Sequence, residues 1–153
     1  CRYDSVLFSK LTDGICENDR LVTQIVIPGT TELLEGPIRK VKTQIISGKL
    51  GVSSMEIGRQ AFFDLEKTGL EIQARFFRAG DRFCPLGMTG SKKLKSFFID
   101  QKVPQSMRSH IPILTNVDDD IIWVYGQRIS HHYRVTDKTE KVLFIEGDKA
   151  INY

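Results

Sequence analysis

The stretch GDRFCPLGMTGSKKLKSFFIDQKVPQSMRSHIPIL, residues 80–114, carries the strongest local structural signals in this chain of 153 residues. Its first part is rich in glycine and contains Pro85, which is typical of a loop. An amphipathic segment follows, in which apolar side chains recur at helical spacing and form one face. The members of that face are Leu94, Phe97 and Phe98.

The segment 91–102 is predicted to be the main helix of the domain. Ser91 suits the N-cap position, and Val103-Pro104 ends the helix because the residue before a proline is pushed out of helical geometry. A short second helical turn is expected at 105–109. The face away from the apolar side chains carries lysines, with one more beside it: Lys92, Lys95, Lys102 and Lys93.

Outside this stretch the sequence has the pattern of strands separated by turns. The strand-like runs are 21–27, 38–46, 62–65, 70–77, 113–114, 121–125, 127–135 and 142–145. The four residues Glu66–Gly69 separate two of these runs, so we predict a short hairpin there. In the second strand of that hairpin, apolar and polar residues alternate, which places Arg75 on the polar face.

These patterns predict an α+β fold: a mostly antiparallel, β-rich domain with one main helix at about residues 91–102. We expect an N-terminal arm or linker at 1–20, the domain itself at 21–147 and a tail at 148–153. The chain opens at Cys1 rather than at Met, and we therefore expect it to be part of a longer protein.

Positive charge is concentrated in one segment. Residues 75–108 hold 8 basic and 2 acidic side chains, whereas the chain as a whole has a net charge of only +3. Lysines in the first turn of a helix would face the positive end of the helix dipole, and a nucleic-acid phosphate would compensate them. From charge alone, a solvated face that keeps the domain soluble stays open as an alternative. The phosphate-contacting patch would also include Arg75, Arg78, Arg82 and Arg108.

Motifs for catalysis or metal binding are weak. The segment SGKLGVSS at 47–54 lacks the spacing of a P-loop. His131 and His132 are adjacent in a predicted strand, so their side chains would point to opposite faces and could not share a metal. We expect an acidic turn at 118–120, and Cys84 has no neighbouring base. We therefore predict no catalytic or metal-binding residue, and a hydrolase built on the histidines and aspartates is disfavoured.

Composition argues against membrane-spanning, disordered and disulfide-rich classes of protein. No apolar stretch approaches the ~20 residues that a membrane-spanning helix needs, and the apolar content of 41% argues against a disordered chain. The three cysteines are odd in number and far apart, which excludes a disulfide framework and favours a reducing, cytosolic compartment. The interleaved phenylalanines Phe76, Phe77 and Phe83 are expected in the core rather than stacked on bases.

The quoted stretch 80–114, with IIWVYGQRIS at 121–130 and VTDKTEKVL at 135–143, resembles the C-terminal domain of bacterial tRNA(Ile)-lysidine synthetase. IPGTTELLEG at 27–36 is similar to the start of that domain, so the resemblance covers roughly residues 21–147. It implies a β-rich α+β fold related to a domain of the phenylalanyl-tRNA synthetase β-subunit.

The resemblance also implies a cytoplasmic enzyme that uses ATP, with magnesium, to adenylate the wobble cytidine of the CAU-anticodon tRNA(Ile) and then attaches free lysine. In that family the chemistry belongs to an N-terminal domain with an SGGxDS-type loop, a motif that is absent from this sequence. This chain would then be a tRNA-binding accessory domain that engages the acceptor stem and has no cofactor of its own. The expected partners are that tRNA(Ile), the N-terminal catalytic domain and a second copy in a homodimer, without membrane or DNA.

Two sets of positions match the family's motifs. The RNA-contact candidates are Arg78, Arg82, Lys92, Lys93, Lys95, Lys102, Arg108 and Arg128. The turn positions, which shape the loop, are Gly80, Pro85, Gly87 and Gly90. An alternative is a module that docks its basic surface on an acidic face of its own enzyme, and Ile99 on the lysine side of the helix favours it.

Overall fold

The computed structural model describes residues 22–33, 38–47, 56–57 and 59–148. The predicted arm at 1–20 and all but the first residue of the predicted tail at 148–153 lie outside these ranges. In chain order the described elements are β1 (Thr23–Ile25), β2 (Gly29–Glu32), β3 (Lys40–Ser47), β4 (Glu56–Ile57), β5 (Gln60–Asp64), α1 (Leu65–Thr68), β6 (Ile72–Arg75), β7 (Arg82–Phe83), β8 (Lys92–Lys93), α2 (Leu94–Asp100), α3 (Gln105–Arg108), β9 (Ile113–Thr115), β10 (Ile121–Val124), β11 (Arg128–Ile129), a 3-10 turn (His131–Tyr133) and β12 (Lys141–Gly147).

The strands form two five-stranded sheets and one small hairpin. The first sheet has the order β1-β6-β9-β10-β11, the second has the order β2-β3-β12-β5-β4, and β7 pairs with β8. Neighbouring strands are antiparallel in all three. The predicted fold, a mostly antiparallel α+β domain, is therefore confirmed.

The first sheet is buried on both of its faces. One face packs against the second sheet in a core that includes the fully buried Trp123. The other face meets α2 through Leu94, Phe97 and Phe98, the predicted apolar face of the helix. Full burial of each such side chain stabilises the fold by about 1.5–3 kcal/mol. Packing on the sheet thus fixes α2 in place.

The main helix begins later than predicted. Lys92 and Lys93 pair with Phe83 and Arg82 as strand β8, so α2 starts at Leu94 instead of directly after Ser91. Lys93 takes the N-cap position and makes no side-chain capping bond. The expectation of several lysines within one helical turn was wrong, because pairing with β7 keeps two of them extended.

The hairpin predicted across Glu66–Gly69 was also wrong. Strand β5 lies in the second sheet and β6 in the first, and α1 carries the chain between them. Asp64 caps α1 by accepting a hydrogen bond from the Glu66 N–H at 3.0 Å. Gly69 ends it at a φ of +75°, a conformation that favours glycine.

Gly147 at the end of β12 is expected to be intolerant of a side chain. A Cβ there would overlap the ring and hydroxyl of the buried Tyr125. We expect Gly147→Ala to lower the free energy of unfolding by about 1–3 kcal/mol, the usual penalty of overpacking. Urea denaturation measures the change. Gly90→Ala is the matched control, since a Cβ at Gly90 meets nothing within 4 Å, and equal stability of the two variants would contradict the prediction.

Candidate nucleic-acid interface

The β7–β8 hairpin brings two cations together on one face. Arg82 lies directly opposite Lys93, and opposite residues of an antiparallel pair share a face. Both side chains are exposed, and neither forms an ion pair within the described residues. The guanidinium of Arg82 donates to the Ser91 hydroxyl at 3.2 and 3.3 Å. The hairpin therefore presents two positive charges without a counter-ion.

Helix α2 adds two more exposed cations. Lys95 lies in its first turn, and Lys102 follows its C-terminus at a φ of +60°. Lys92 differs from them, because its ammonium pairs with Asp100 and is neutralised within the protein. Arg82, Lys93, Lys95 and Lys102 are called the basic surface below.

Arg75 is buried and paired, which corrects its predicted place on an exposed polar face. Its side chain is 3% exposed; Nη1 and Nη2 each donate to Asp81 at 3.0 Å, and Nε donates to Asp119 at 3.1 Å. The alternation along β6 is as predicted, but this face of the sheet is covered. Burial alone would lower the pKa of Arg75, and the two carboxylates outweigh it, so that the pKa is raised. We leave Arg75 out of the proposed RNA contacts.

Asp81 connects Arg75 to the basic surface. Its carboxylate also accepts the Arg78 N–H at 2.8 Å, and its backbone carbonyl accepts the Leu94 N–H, the first of α2, at 2.8 Å. Arg78 itself is half-exposed and touches Asp119 at 3.5 Å. The Arg75–Asp81 pair thus holds both the loop after β6 and the start of α2.

Sequence reasoning missed this role of Asp81 and Asp119, although a signal was present. The basic segment 75–108 contains only 2 acidic side chains, and each neutralises one of its cations. Asp81 pairs with Arg75, and Asp100 pairs with Lys92. An isolated carboxylate in a basic segment therefore indicates that one of the cations is internally paired, and the fold shows which one.

The two remaining arginine candidates are both half-buried. Arg108 is half-buried in α3 and its Nε donates to the Val103 carbonyl at 3.1 Å. Arg128 is half-buried in β11, opposite Val124 at the edge of the first sheet.

Two of the predicted turn glycines and Pro85 shape the turn before β7 and the loop between β7 and β8. Gly80, in the turn before β7, and Gly87, in the loop itself, both have a φ of +91°, which only glycine adopts without strain. Pro85 forms a bridge to Ser130, and the Leu86 N–H donates to the Ile129 carbonyl at 3.0 Å. Gly90 lies in the same loop and has no positive φ. The loop is therefore attached to β11 and the residue that follows it.

His131 and His132 lie in a 3-10 turn, whereas we predicted a strand. Their rings are 6.2 Å apart, so adjacency does not send them to opposite faces. The Nδ1 atom of His131 accepts the Gly87 N–H at 3.3 Å. The pKa of His131 is lowered by burial first, and then by the nearby charges of Arg134, His132 and Lys67. His131 is thus a neutral acceptor that fastens the loop.

No group of three or more His, Cys, Asp or Glu side chains in the described ranges is placed to hold a metal ion. Within the same ranges, no helix has the length and apolarity to cross a membrane.

Two solved structures share the fold of this chain. A crystal structure titled as the TilS C-terminal domain superposes with a TM-score of 0.67 at 23% identity, covering 87% of this chain and 100% of that chain. An N-terminal fragment of the phenylalanyl-tRNA synthetase β-subunit from Pyrococcus horikoshii gives a TM-score of 0.58 at 12% identity, covering 81% of this chain and 46% of that one.

Sequence comparison specifies the family. Residues 70–145 match the family model described as the TilS substrate C-terminal domain, and the chain belongs to this family. A tRNA(Ile)-lysidine synthase of Caldanaerobacter subterraneus is 43% identical over 124 residues, 80% of this chain and 26% of the relative. That of Dehalococcoides mccartyi is 36% identical over 118 residues, 77% of this chain and 24% of the relative. The chain thus spans about a quarter of the length of these relatives.

Removing the buried guanidinium should cost far more than removing the exposed one beside it. We expect Arg75→Met to lower the free energy of unfolding by about 3 kcal/mol, because breaking a buried ion pair leaves its partner uncompensated. Arg78→Met should cost less than about 1 kcal/mol, since its ion pair is half-exposed. Chemical denaturation of both variants measures the difference, and similar losses would show that Arg75 is not the anchor.

The lowered pKa of His131 predicts a pH-dependent contribution to stability. The unfolded chain protonates His131 at a higher pH than the folded chain does. The free energy of unfolding should therefore fall as the pH drops below about 6.5. His131→Asn keeps an acceptor for the Gly87 N–H but does not titrate. We expect its stability relative to the parent chain to improve, by less than about 1 kcal/mol, between pH 7.5 and pH 5.5. Denaturation at both pH values tests this, and a constant difference would contradict it.

Proposed function

We propose that this chain is a tRNA-binding accessory domain of an ATP-dependent ligase that converts the wobble cytidine of CAU-anticodon tRNA(Ile) to lysidine. The observation that carries the proposal is the basic surface: exposed lysines and an arginine with no counter-ion among the described residues, held on a hairpin and a helix that are anchored to the core. Family membership and relatives that are tRNA(Ile)-lysidine synthases support the assignment of the substrate.

The mechanism of this domain is electrostatic. Lysine and arginine neutralise phosphates and release counter-ions, and such contacts orient a folded RNA without reading its sequence. A-form helices are recognised largely by shape and backbone, which suits the acceptor stem as the region contacted. ATP, magnesium and lysine are bound by the remainder of the enzyme, in the cytoplasm, and the domain positions the anticodon there.

The number of free cations sets the expected salt dependence. The basic surface supplies four, whereas Arg78 is already paired with Asp119 at 3.5 Å. Four phosphate contacts give a slope of log affinity against log salt of about −2.8 to −3.6, at roughly 0.7–0.9 per contact. Lys92 contributes less in this scheme, because Asp100 already neutralises it.

Removing two free lysines should reduce both affinity and salt dependence. We expect Lys93→Gln/Lys95→Gln to weaken binding of the CAU-anticodon tRNA(Ile) and to reduce the slope by about 1 per lost contact. Fluorescence anisotropy at three salt concentrations, with tRNA, acceptor-stem minihelix and an unrelated hairpin, measures both quantities. The controls are Lys92→Gln in the same hairpin and Lys42→Gln on the exposed side of β3. Unchanged affinity of the double variant would refute the proposal.

A second candidate function is docking on the rest of the enzyme. Ile99 is 53% exposed on α2, between Lys95 and Lys102 in sequence, and an apolar side chain is unusual at a phosphate contact. In this case Ile99→Ser would weaken association with the catalytic domain, or self-association into a homodimer, and leave tRNA affinity unchanged. Analytical ultracentrifugation with and without the catalytic domain separates these outcomes.

A further inference from the structure

We propose that Lys67, His131, His132 and Arg134 form a second phosphate-binding cluster, which holds the backbone of the same RNA beside the basic surface. This inference rests on the proposed function and adds four residues that lie outside the sequence stretches on which the resemblance rests.

The cluster has a fixed framework. The His131 N–H donates to the Cys84 carbonyl at 2.7 Å, and the Arg134 guanidinium donates to the His131 carbonyl at 2.6 Å. Gly87 adds the bond to the imidazole Nδ1 described above. Helix α1, which carries Lys67, packs against the same 3-10 turn. These bonds fix the segment that carries His131, His132 and Arg134, and α1 lies against it with Lys67.

The charge in this cluster has one sign. The groups that act electrostatically on His131 are Arg134 and His132 from its own segment and Lys67 from α1; no carboxylate of the described chain is among them. Neither Lys67 nor Arg134 forms an ion pair with another described residue. Two cations close together without a paired carboxylate repel each other, and an anion placed between Lys67 and Arg134 relieves that repulsion.

The hydrogen bond from Gly87 fixes which imidazole nitrogen carries the proton. Since Nδ1 of the neutral ring accepts from the Gly87 N–H, the proton is on Nε2. Nε2–H is therefore a donor at neutral pH without any need for a charged ring. A phosphate oxygen accepts from such an N–H as well as from ammonium and guanidinium groups. The cluster thus offers three kinds of hydrogen-bond donor to a phosphate oxygen.

The cluster lies next to the basic surface along the chain. Cys84, which binds the His131 backbone, follows Arg82 by two residues, about 6.6 Å in an extended strand. The loop that His131 fastens leads at its other end into Lys92 and Lys93 of β8. One RNA backbone lying on the hairpin can therefore reach both sets of donors.

The decisive experiment observes the two histidines directly while the tRNA binds. The full 153-residue chain with ¹³C-labelled histidine is titrated with CAU-anticodon tRNA(Ile), and NMR follows the ring C–H signals of His131 and His132 over a pH series. We expect both to shift, and the pKa of His131 to rise on binding, because a neighbouring phosphate favours the imidazolium. tRNA that binds by anisotropy but leaves these signals and the pKa of His131 unchanged would overturn the cluster and leave the proposed function standing.

Matched variants separate a phosphate contact from a structural role. His131→Asn keeps the acceptor for Gly87 and lacks the Nε2–H donor, whereas Lys67→Gln removes one charge. We expect each to weaken tRNA binding about 2- to 10-fold while the folded state is retained, and Lys42→Gln to have no effect. Full affinity in both variants would overturn the cluster. Absence of any tRNA binding by the parent chain would overturn the proposed function and, with it, this inference.

Discussion

The ion pairs of the buried Arg75 guanidinium are the constraint on which the candidate interface depends. Arg75 is at the end of β6, inside the first sheet, and binds one carboxylate from the loop that follows it and one from the turn after β9. A charge so deeply buried is stable only with partners in good geometry, which its bidentate contact with Asp81 provides. Its positive charge thus serves the fold, and the positions of the neighbouring cations depend on it.

Asp81 transmits that constraint to the surface. Its side chain holds Arg75 and the backbone of Arg78, while its carbonyl holds the first N–H of α2. The apolar face of α2 packs on the first sheet, which also contains Arg75. Hairpin, loop and helix are therefore positioned together, and a rigid arrangement of cations loses less conformational entropy on binding RNA than a flexible one.

Features set by local sequence were predicted well, and those set by distant contacts were not. The apolar face of α2 and the end of that helix before Val103-Pro104 follow from spacing within a few residues. The supposed hairpin at Glu66–Gly69 failed because β5 pairs with β12 and β6 with β9, both far along the chain. The alternation of polar and apolar residues along β6 correctly placed Arg75 on the face opposite its apolar neighbours. It did not show that this face of the sheet is also covered. The basic segment was evident from charge alone, whereas the internal pairing of three of its cations, Arg75, Arg78 and Lys92, required the fold.

Helix α2 depends on the rest of the domain for its capping and would not keep its structure in isolation. The helix has 7 residues, lacks a side-chain cap, and takes the partner of its first N–H from Asp81, outside the helix. Helices this short do not persist in water by themselves, since nucleation costs more than a few hydrogen bonds return. A synthetic peptide containing the lysine-rich segment would therefore carry the charges without their arrangement. The proposed recognition element is thus the folded sheet with its helix, and the smallest unit that evolution or an engineer could transfer is the domain.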